Sequence, residues 1–215
     1  MTLLKRLFKD VFPPAVMAGV IVGIAGTINL TQIYAGNKEL GAFLFSCGLL
    51  LVCVKPVNLF TGKIGYVFDN KPIFIVDLIV MILGNAIGSA IIVLIVKMAN
   101  VVPAIDASYF SVEQKLSVEW WQFFGLAIMC GVMMYLAVEG YKRVPNDFAK
   151  VVLVILCAMI FMLAGFEHSI ADIFYFMLSG TFEWKALLYV FLGLLGNSVG
   201  SIGLYGLEKW AKINR

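Results

Sequence analysis

Long apolar stretches separated by short polar segments occupy almost the whole chain. A membrane-spanning helix needs about 20 mostly apolar residues, and six stretches meet that length. They cover residues 13–35, 41–68, 72–97, 118–139, 149–178 and 185–207. The pattern therefore predicts an all-α integral membrane protein with a six-helix channel domain over 13–207, and it leaves little length for a soluble domain.

The first twelve residues have a different pattern. Leu3, Leu4, Leu7 and Phe8 recur at helical spacing among lysine, arginine and aspartate, as is typical of an amphipathic helix lying in the membrane interface. The prolines at 13–14 follow directly, and proline inside a helix removes a hydrogen bond and clashes with the preceding turn. We expect an interfacial helix over 1–12 that ends at the prolines, and a cytoplasmic C-terminal tail over 208–215.

The composition agrees with a membrane protein, because 62% of the 215 residues are hydrophobic and only 13% are charged, against about 25% charged in soluble domains. With the N-terminus inside, 11 of the 16 Lys and Arg residues fall on the inner side. Lys38, Lys97, Lys115 and Lys185 fall outside, and Lys55 lies within a span. The positive-inside rule then predicts a multi-pass protein of the inner (plasma) membrane with both termini cytoplasmic. The net charge of +3 reflects this bias, and we expect no nucleic-acid partner.

The sequence gives little support for a metal site or for disulfide bonds. The four cysteines lie in apolar segments without a CxxC pair, and the chain has one histidine. Neither a disulfide framework nor a zinc site is indicated, and one histidine cannot supply a bis-histidine haem site. We expect no metal, no cofactor and no enzyme activity.

A short motif occurs twice. LGNAIGS at 83–89 and LGNSVGS at 195–201 differ at two positions and are 112 residues apart. Because the repeat unit holds three spans, the second copy must be inverted in the membrane. The same offset aligns His168 with Pro56, and both interrupt an overlong apolar stretch. Matching interruptions predict broken second and fifth helices around a site at the membrane midplane.

The only histidine lies in one of these interruptions, in GFEHSIADIF at 165–174. Ionisable residues within spans are functional by default, and an imidazole with a pKa near 6.5 can exchange protons at neutral pH. His168 is thus the first candidate for a site residue, with a hydrogen-bonded structural histidine as the alternative. Glu167 and Asp172 are either loop-stabilising hydrogen bonders or proton-relay groups.

These residues resemble the formate/nitrite transporter family, which includes hydrosulfide channels. The matching pieces are LFTG at 59–62, GFEHSIA at 165–171, GLAIMCGVMMYLA at 125–137 and the paired Gly-Asn-x-x-Gly motifs. The resemblance covers essentially all of 13–207. It implies an aquaporin-like bundle in the lipid bilayer that assembles as a homopentamer, with one pore per protomer for formate, nitrite or hydrosulfide.

The resemblance also implies roles for individual residues. Thr61 is similar to the pore threonine of the family, His168 to its central histidine and Lys115 to the lysine of its outer vestibule. Asn197 and Asn85 resemble the polar groups that support the broken loops. The implied constrictions are lined by Phe45, Leu49, Leu59, Phe60, Met134 and Phe161.

Several assignments stay open. Glu167 and Lys55 are further pore candidates; Lys55 either faces the pore or pairs with an acid or with loop carbonyls. For Lys115 the alternative is an ordinary solvated lysine. Pro56, Val57 and Asn58 replace the glycine, small residue and acid usual before Leu-Phe-Thr, and Gly131 replaces an asparagine.

The function predicted is a channel or transporter for small monovalent anions of weak acids, in which the anion is neutralised by protonation or hydrogen bonding at His168. An aquaporin-like channel for neutral small solutes is the alternative, although the paired Asn-Pro-Ala boxes expected there are absent. A membrane anchor for a redox enzyme is a third possibility, for which one histidine supplies too few haem or quinone ligands.

Overall fold

The computed structural model of the chain describes residues 2–213, and every regular element in that range is a helix, which confirms the all-α prediction. A π-helical turn occupies Leu7–Val11 and a 3-10 segment occupies Ile64–Asp69. The α-helices are α1 (Leu3–Arg6), α2 (Phe12–Tyr34), α3 (Lys38–Val54), α4 (Phe60–Lys63), α5 (Phe74–Met98), α6 (Val102–Ser117), α7 (Trp120–Arg143), α8 (Asp147–Leu163), α9 (Ser169–Ser179) and α10 (Trp184–Trp210).

Four helical stretches within residues 2–213 are long and apolar enough to cross a membrane. They are Leu3–Tyr34, Phe74–Met98, Trp120–Arg143 and Trp184–Trp210, and they correspond to the first, third, fourth and sixth predicted spans. Their outer faces carry many exposed large apolar side chains, among them Ile79, Leu94 and Phe191. The protein is therefore an integral membrane protein.

The N-terminal helix does not end at the prolines, which corrects the boundary expected from the sequence. Helical backbone runs from Leu3 to Tyr34 because the π-helical turn precedes Pro13 and Pro14, which occupy the first turn of α2. The missing N–H groups of the two prolines lie beside the π-helical turn, where the regular α-helical hydrogen bonds are already interrupted. Arg6 donates two hydrogen bonds to Asp77, at 2.8 and 2.5 Å, and so ties this helix to the start of α5.

The second and fifth apolar stretches are each divided into two helices. Residues 55–59 separate α3 from α4, and residues 164–168 separate α8 from α9. Helices α3 and α8 pack against each other, and the short helices α4 and α9 are also in contact. The two interruptions are thus brought together inside the bundle, where non-helical backbone is shielded from lipid.

Helix α6, between the third and fourth spans, was missed by the sequence analysis. Pro103 occupies the first turn of α6, where proline is favoured. The buried residues Ala104, Ala107, Ser108 and Val112 lie three to four positions apart along one face. That spacing is a helical signal, and the helix carries Lys115 to the side of α9.

Glycines allow the long helices to pack closely in pairs. Helix α2 packs on α5 and helix α7 packs on α10. A side chain at Gly19 would overlap the backbone of Asn85, and one at Gly131 would overlap the backbone of Asn197. These two contacts are 112 residues apart along the chain, so the sequence repeat corresponds to a repeated helix packing.

Candidate functional site

His168 is held by the start of helix α9. It is the N-cap residue, and its ring Nδ1 accepts a hydrogen bond from the backbone N–H of Ala171 at 3.1 Å. Its Nε2 lies 3.0 Å from Oγ1 of Thr61 at the start of α4. His168 is 3% exposed and Thr61 is 1% exposed. The two interruptions therefore bring two of the predicted site residues into direct contact.

These contacts determine the tautomer of the ring. Because Nδ1 accepts from a backbone N–H, it carries no proton, and a neutral imidazole must then carry its proton on Nε2. That N–H donates to Thr61 Oγ1. The hydroxyl proton of Thr61 is consequently left free to donate to another acceptor, so the pair presents one unoccupied donor.

Apolar side chains surround the imidazole. The Phe161 ring stacks on that of His168, with centroids 5.6 Å apart and planes at 16°, and Phe45 meets Phe161 edge to face at 5.9 Å. These rings exclude water from one side of the imidazole. Every constriction residue expected from the sequence is buried and belongs to the same apolar cluster: Phe45, Leu49, Leu59, Phe60, Met134 and Phe161.

Two cavities approach this centre. One, of about 280 Å³, contains Lys115 and His168 among its lining residues and is called the Lys115 cavity. The other, of about 300 Å³, contains Lys55 and Leu59 and is called the Lys55 cavity. Lys38, at the start of α3, lines the first, and the end of α3 lines the second. Because a helix of 17 residues is about 25 Å long, the cavities lie at opposite ends of the bundle.

The gap between the cavities is short and contains the histidine contact. Leu59 lines the Lys55 cavity, and Thr61, two residues further along the chain, contacts His168, which lines the Lys115 cavity. The imidazole thus lies at the inner end of a cavity, away from the lipid-facing surface.

Lys115 is not a solvated lysine. Its ammonium forms ion pairs with Glu167 and, at 2.9 Å, with Asp172, and its side chain is 15% exposed. We call these three residues the acid–lysine cluster. With every member ionised the cluster carries a net charge of −1, and Oδ2 of Asp172 is buried without a hydrogen-bond partner. The cluster lines the Lys115 cavity directly beside His168.

Lys55 faces its cavity without an acid partner. Together with Lys63 and Lys142 it supplies three ammonium groups to the lining, and Lys142 lies 3.7 Å from the ring centroid of Tyr66. Neither pairing with an acid nor bonding to loop carbonyls, the alternatives for Lys55, occurs among residues 2–213.

Asn197 and its counterpart Asn85 hold the two interruptions. The Asn197 amide donates to the carbonyls of Ala127 and Glu167, both at 2.8 Å, and accepts from the N–H of Ser169 at 2.9 Å. The Asn85 amide makes the same set of bonds with Ala15, Asn58 and Phe60. Neither asparagine is among the lining residues of the two cavities.

This pair of contact sets corrects the alignment of the interruptions. Ala15 and Ala127 are 112 residues apart, but Phe60 and Ser169, which make equivalent bonds, are 109 apart. His168 therefore corresponds to Leu59, the N-cap residue of α4, and not to Pro56. The repeated motif lies in the long helices α5 and α10, whereas the interruptions lie in other segments of the chain. The 112-residue offset of the motif therefore does not apply to the interruptions, whose offset is three residues shorter.

Two of the departures from the family pattern have structural explanations. The Asn58 side chain donates to the carbonyls of Asp10 and Val11, at 3.3 and 3.2 Å, in the turn that precedes the prolines. At position 131 no side chain fits between α7 and α10, so an asparagine there would require the helices to separate. Nothing in the structure explains the proline at position 56.

The chain is similar to known formate and nitrite transport proteins. The family model described as "Formate/nitrite transporter" matches residues 2–211. The formate channel FocA of Haemophilus influenzae is 24% identical over 189 residues, which are 79% of this chain and 66% of that protein. The formate channel FocB of Escherichia coli is 26% identical over 188 residues, 80% of this chain and 67% of that protein. The match spans about two thirds of the length of these relatives.

Solved structures share the fold. A pentameric formate channel with formate bound superimposes with a TM-score of 0.81 at 24% identity, covering 100% of both chains. An ion channel of the FNT family superimposes with a TM-score of 0.80 at 22% identity, covering 96% of this chain and 93% of the other. The helical arrangement is therefore the one found in these channels.

Proposed function

The chain belongs to the formate/nitrite transporter family, and from that premise we propose that it is a channel for small monovalent anions of weak acids. Formate, nitrite and hydrosulfide are the candidate substrates. The observation that carries the proposal is the His168–Thr61 pair, buried where cavities from opposite ends of the bundle approach each other.

The proposed architecture has six membrane spans in two inverted repeats of three helices, as in aquaporins. The second span consists of α3 and α4 and the fifth of α8 and α9, so both are broken. The equivalent hydrogen bonds of Asn85 and Asn197 support a duplicated unit. Inversion follows because a unit with an odd number of spans begins on one side of the membrane and ends on the other.

We propose a homopentamer in the inner membrane, with both termini cytoplasmic, a channel domain over 13–207 and a tail over 208–215. The solved formate channel with the same fold is pentameric. The cavities and the histidine contact lie within a single chain, and each protomer would therefore contain its own pore.

The permeation mechanism follows from the cost of charge in the apolar constriction. A bare anion loses its hydration there, and the ideal penalty in a medium of low dielectric constant is tens of kcal/mol. One proton added to the anion gives a neutral acid and removes most of this cost. The substrate then passes Phe45 and Phe161 as the acid, and a proton crosses with each anion.

His168 would act as a hydrogen-bond donor in this mechanism. Forming an imidazolium requires a proton on Nδ1, which is occupied by the N–H of Ala171. The Thr61 hydroxyl, while accepting from Nε2–H, can donate its own proton to a substrate oxygen or sulfur, which stabilises the partly charged acid at the narrowest point. Of the two roles predicted for the histidine, hydrogen bonding is the one the geometry supports.

The acid–lysine cluster supports proton-coupled passage. Its net charge of −1 when fully ionised repels a bare anion at short range. An anion can approach His168 favourably only when one additional proton is present on the cluster or on the substrate. Lys115 therefore orients the two carboxylates and offsets part of their charge, and it does not act as an isolated positive site.

Flux into proteoliposomes with an internal pH indicator tests the proposal. With an inward formate gradient we expect uptake together with acidification of the lumen, faster than in protein-free vesicles, and the same for nitrite or hydrosulfide. His168→Asn should reduce this flux by about tenfold or more, since the shorter asparagine side chain cannot place a donor at Thr61 Oγ1 as the imidazole does. Asparagine is a favoured N-cap residue, so the pentamer should remain folded.

Two results would contradict the proposal. Formate uptake equal to that of protein-free vesicles would exclude the substrate class, and uptake without any proton entry would exclude the mechanism. Rapid swelling in urea or glycerol combined with no anion flux would favour the neutral-solute channel instead.

A further inference from the structure

The Lys55 cavity has an unusual charge. Its lining includes the side chains of Lys55, Lys63 and Lys142 and the Tyr141 ring, and none of the described residues that line it is acidic. Lys55 and Lys142 are exposed and Lys63 is half-buried. Three lysines thus line a space of about 300 Å³, and the ammonium of Lys142 also lies over the Tyr66 ring.

Two acids, Glu139 and Asp69, are already paired. Glu139 forms an ion pair with Arg143 and accepts a hydrogen bond from Tyr66. Asp69 pairs with Lys209 and accepts from Tyr205. Across residues 2–213 none of the three cavity lysines forms an ion pair. No carboxylate among these described residues therefore neutralises their charges by direct contact.

The opposite cavity has a different balance. The Lys115 cavity is lined by Lys38 and Lys115 but also by Glu167 and Asp172, so its charged groups cancel when all are ionised. The lining of the Lys55 cavity thus carries a net charge of about +3, and the lining of the Lys115 cavity carries a net charge of about zero. This distribution predicts that anions are attracted more strongly to the Lys55 cavity than to the Lys115 cavity.

We propose that the Lys55 cavity is an anion-binding site that collects the permeant anion on the face of the N-terminal helix. The inference rests on the proposed channel function and adds a difference between the two membrane faces. Transport should be half-saturated at a lower anion concentration on this face than on the face of the Lys115 cavity. The site binds the anion in its charged form, before the proton is added further in.

The position of the cavity suits this role. Leu59 lines the cavity, and its neighbour in the chain, Asn58, donates to the carbonyls of Asp10 and Val11. The cavity is therefore on the face of the N-terminal helix. Thr61, which contacts His168, is two residues from Leu59 along the chain. Charges of one sign around a cleft with low-dielectric walls focus the field and raise the local anion concentration.

Lysines on a cytoplasmic face also serve membrane topology, so the test needs a charge-matched control. Lys55→Gln, Lys63→Gln and Lys142→Gln together remove three positive charges from the cavity. Lys5→Gln, Lys9→Gln and Lys71→Gln together remove three exposed charges, none of which lines the cavity. Both triple variants are first checked for an intact oligomer, and the single variant Lys55→Gln is carried in parallel should the cavity triple fail to assemble.

The first readout is formate flux in proteoliposomes of known orientation, sorted by access to a C-terminal tag. In the cavity variant the half-saturating formate concentration on the N-terminal face should rise by about tenfold, the lower range of electrostatic focusing. The value on the opposite face should not change, and the control variant should match the parent chain. Equal half-saturating concentrations on both faces of the parent chain, or equal effects of the two triples, would overturn the inference.

A second readout does not need transport. Inorganic sulfate, at concentrations well below those at which it stabilises proteins generally by surface exclusion, should raise the melting temperature of the detergent-solubilised parent and control proteins but not that of the cavity variant, and high sodium chloride should remove the effect. Sulfate stabilisation that survives in the cavity variant would contradict the site. If the parent chain carried no formate at all, the proposed function would fail while this readout still decided whether the anion site exists.

Discussion

At the scale of single residues, hydrogen bonding decides what His168 can do. Both ring nitrogens have partners, the N–H of Ala171 at Nδ1 and the hydroxyl of Thr61 at Nε2. A ring held in this way has one available proton and one orientation. That proton is donated to Thr61, whose hydroxyl proton is the free donor, and removal of the hydroxyl isolates the contribution of the pair.

We expect Thr61→Val to reduce proton-coupled formate flux by about two- to tenfold, since one hydrogen bond contributes roughly 0.5–1.5 kcal/mol. Valine has a similar shape but can neither accept from Nε2 nor donate to the substrate. Thr61→Ser keeps the hydroxyl and should transport at close to the parental rate. The measurement is initial formate flux in proteoliposomes, and equal rates for the valine and serine variants would remove Thr61 from the mechanism.

A second prediction at this scale concerns the charge of the acid–lysine cluster. In the parent chain formate flux should fall as pH rises, because each anion needs an accompanying proton to pass the negative cluster. Asp172→Asn makes the cluster neutral with little change of shape, so flux should fall less steeply with pH. The measurement is formate flux between about pH 6 and 8, the range spanning the ordinary histidine pKa.

The matched control for this variant is Asp106→Asn, an exposed carboxylate on the same helix as Lys115. Its pH profile should coincide with that of the parent chain. A profile of Asp172→Asn that also coincides with the parent would mean that the cluster does not influence anion passage.

At the scale of helices, close contact between backbones organises the molecule. Helix α7 meets α10 at Gly131 and helix α2 meets α5 at Gly19. In a membrane small residues permit such contacts, and the contacts allow van der Waals attraction between helices. The asparagines that hold the interruptions lie at these same contacts, so helix separation and site geometry are linked.

Gly131→Ala should lower the stability of the protein by about 1–3 kcal/mol, the usual cost of an added group in a tightly packed interior. The added methyl would overlap the carbonyl of Asn197 and displace the loop that carries His168. Thermal unfolding in detergent measures the effect. Gly125→Ala on the same helix, where an added methyl meets nothing within 4 Å, should unfold near the parental temperature, and a similar loss in both variants would contradict the explanation.

At the scale of the whole molecule, the proposed pentamer can be tested by mass. Exposed apolar side chains such as Ile79, Leu94 and Phe191 cover the outer faces of the long helices, and lipid or neighbouring protomers must cover them. Native mass spectrometry of protein released from detergent should give five times the chain mass of 23.7 kDa. A monomer or tetramer under conditions that preserve flux would exclude this assembly.

The long apolar helices and the two interruptions were accessible from the sequence, whereas helix α6 was not. Apolar length alone predicts the spans, and an ionisable residue such as His168 inside a span is costly enough to indicate a function. The repeat of Gly-Asn-x-x-Gly marked the helix pairs because a close backbone contact demands glycine wherever the chain forms it. These features depend on the local sequence, and they remain visible without coordinates.

The partners of each charged or polar side chain were decided by the tertiary structure. Lys115 on α6 meets Glu167 and Asp172, more than 50 residues away, only after the helices pack. The 109-residue spacing of the interruptions and the continuous N-terminal helix also depend on long-range contacts, those of Asn85, Asn197 and Asn58. Periodicity and composition describe one segment at a time, whereas the charge of a cavity is the sum over several segments. Only the folded chain brings three lysines to one cavity and a balanced set of charges to the other.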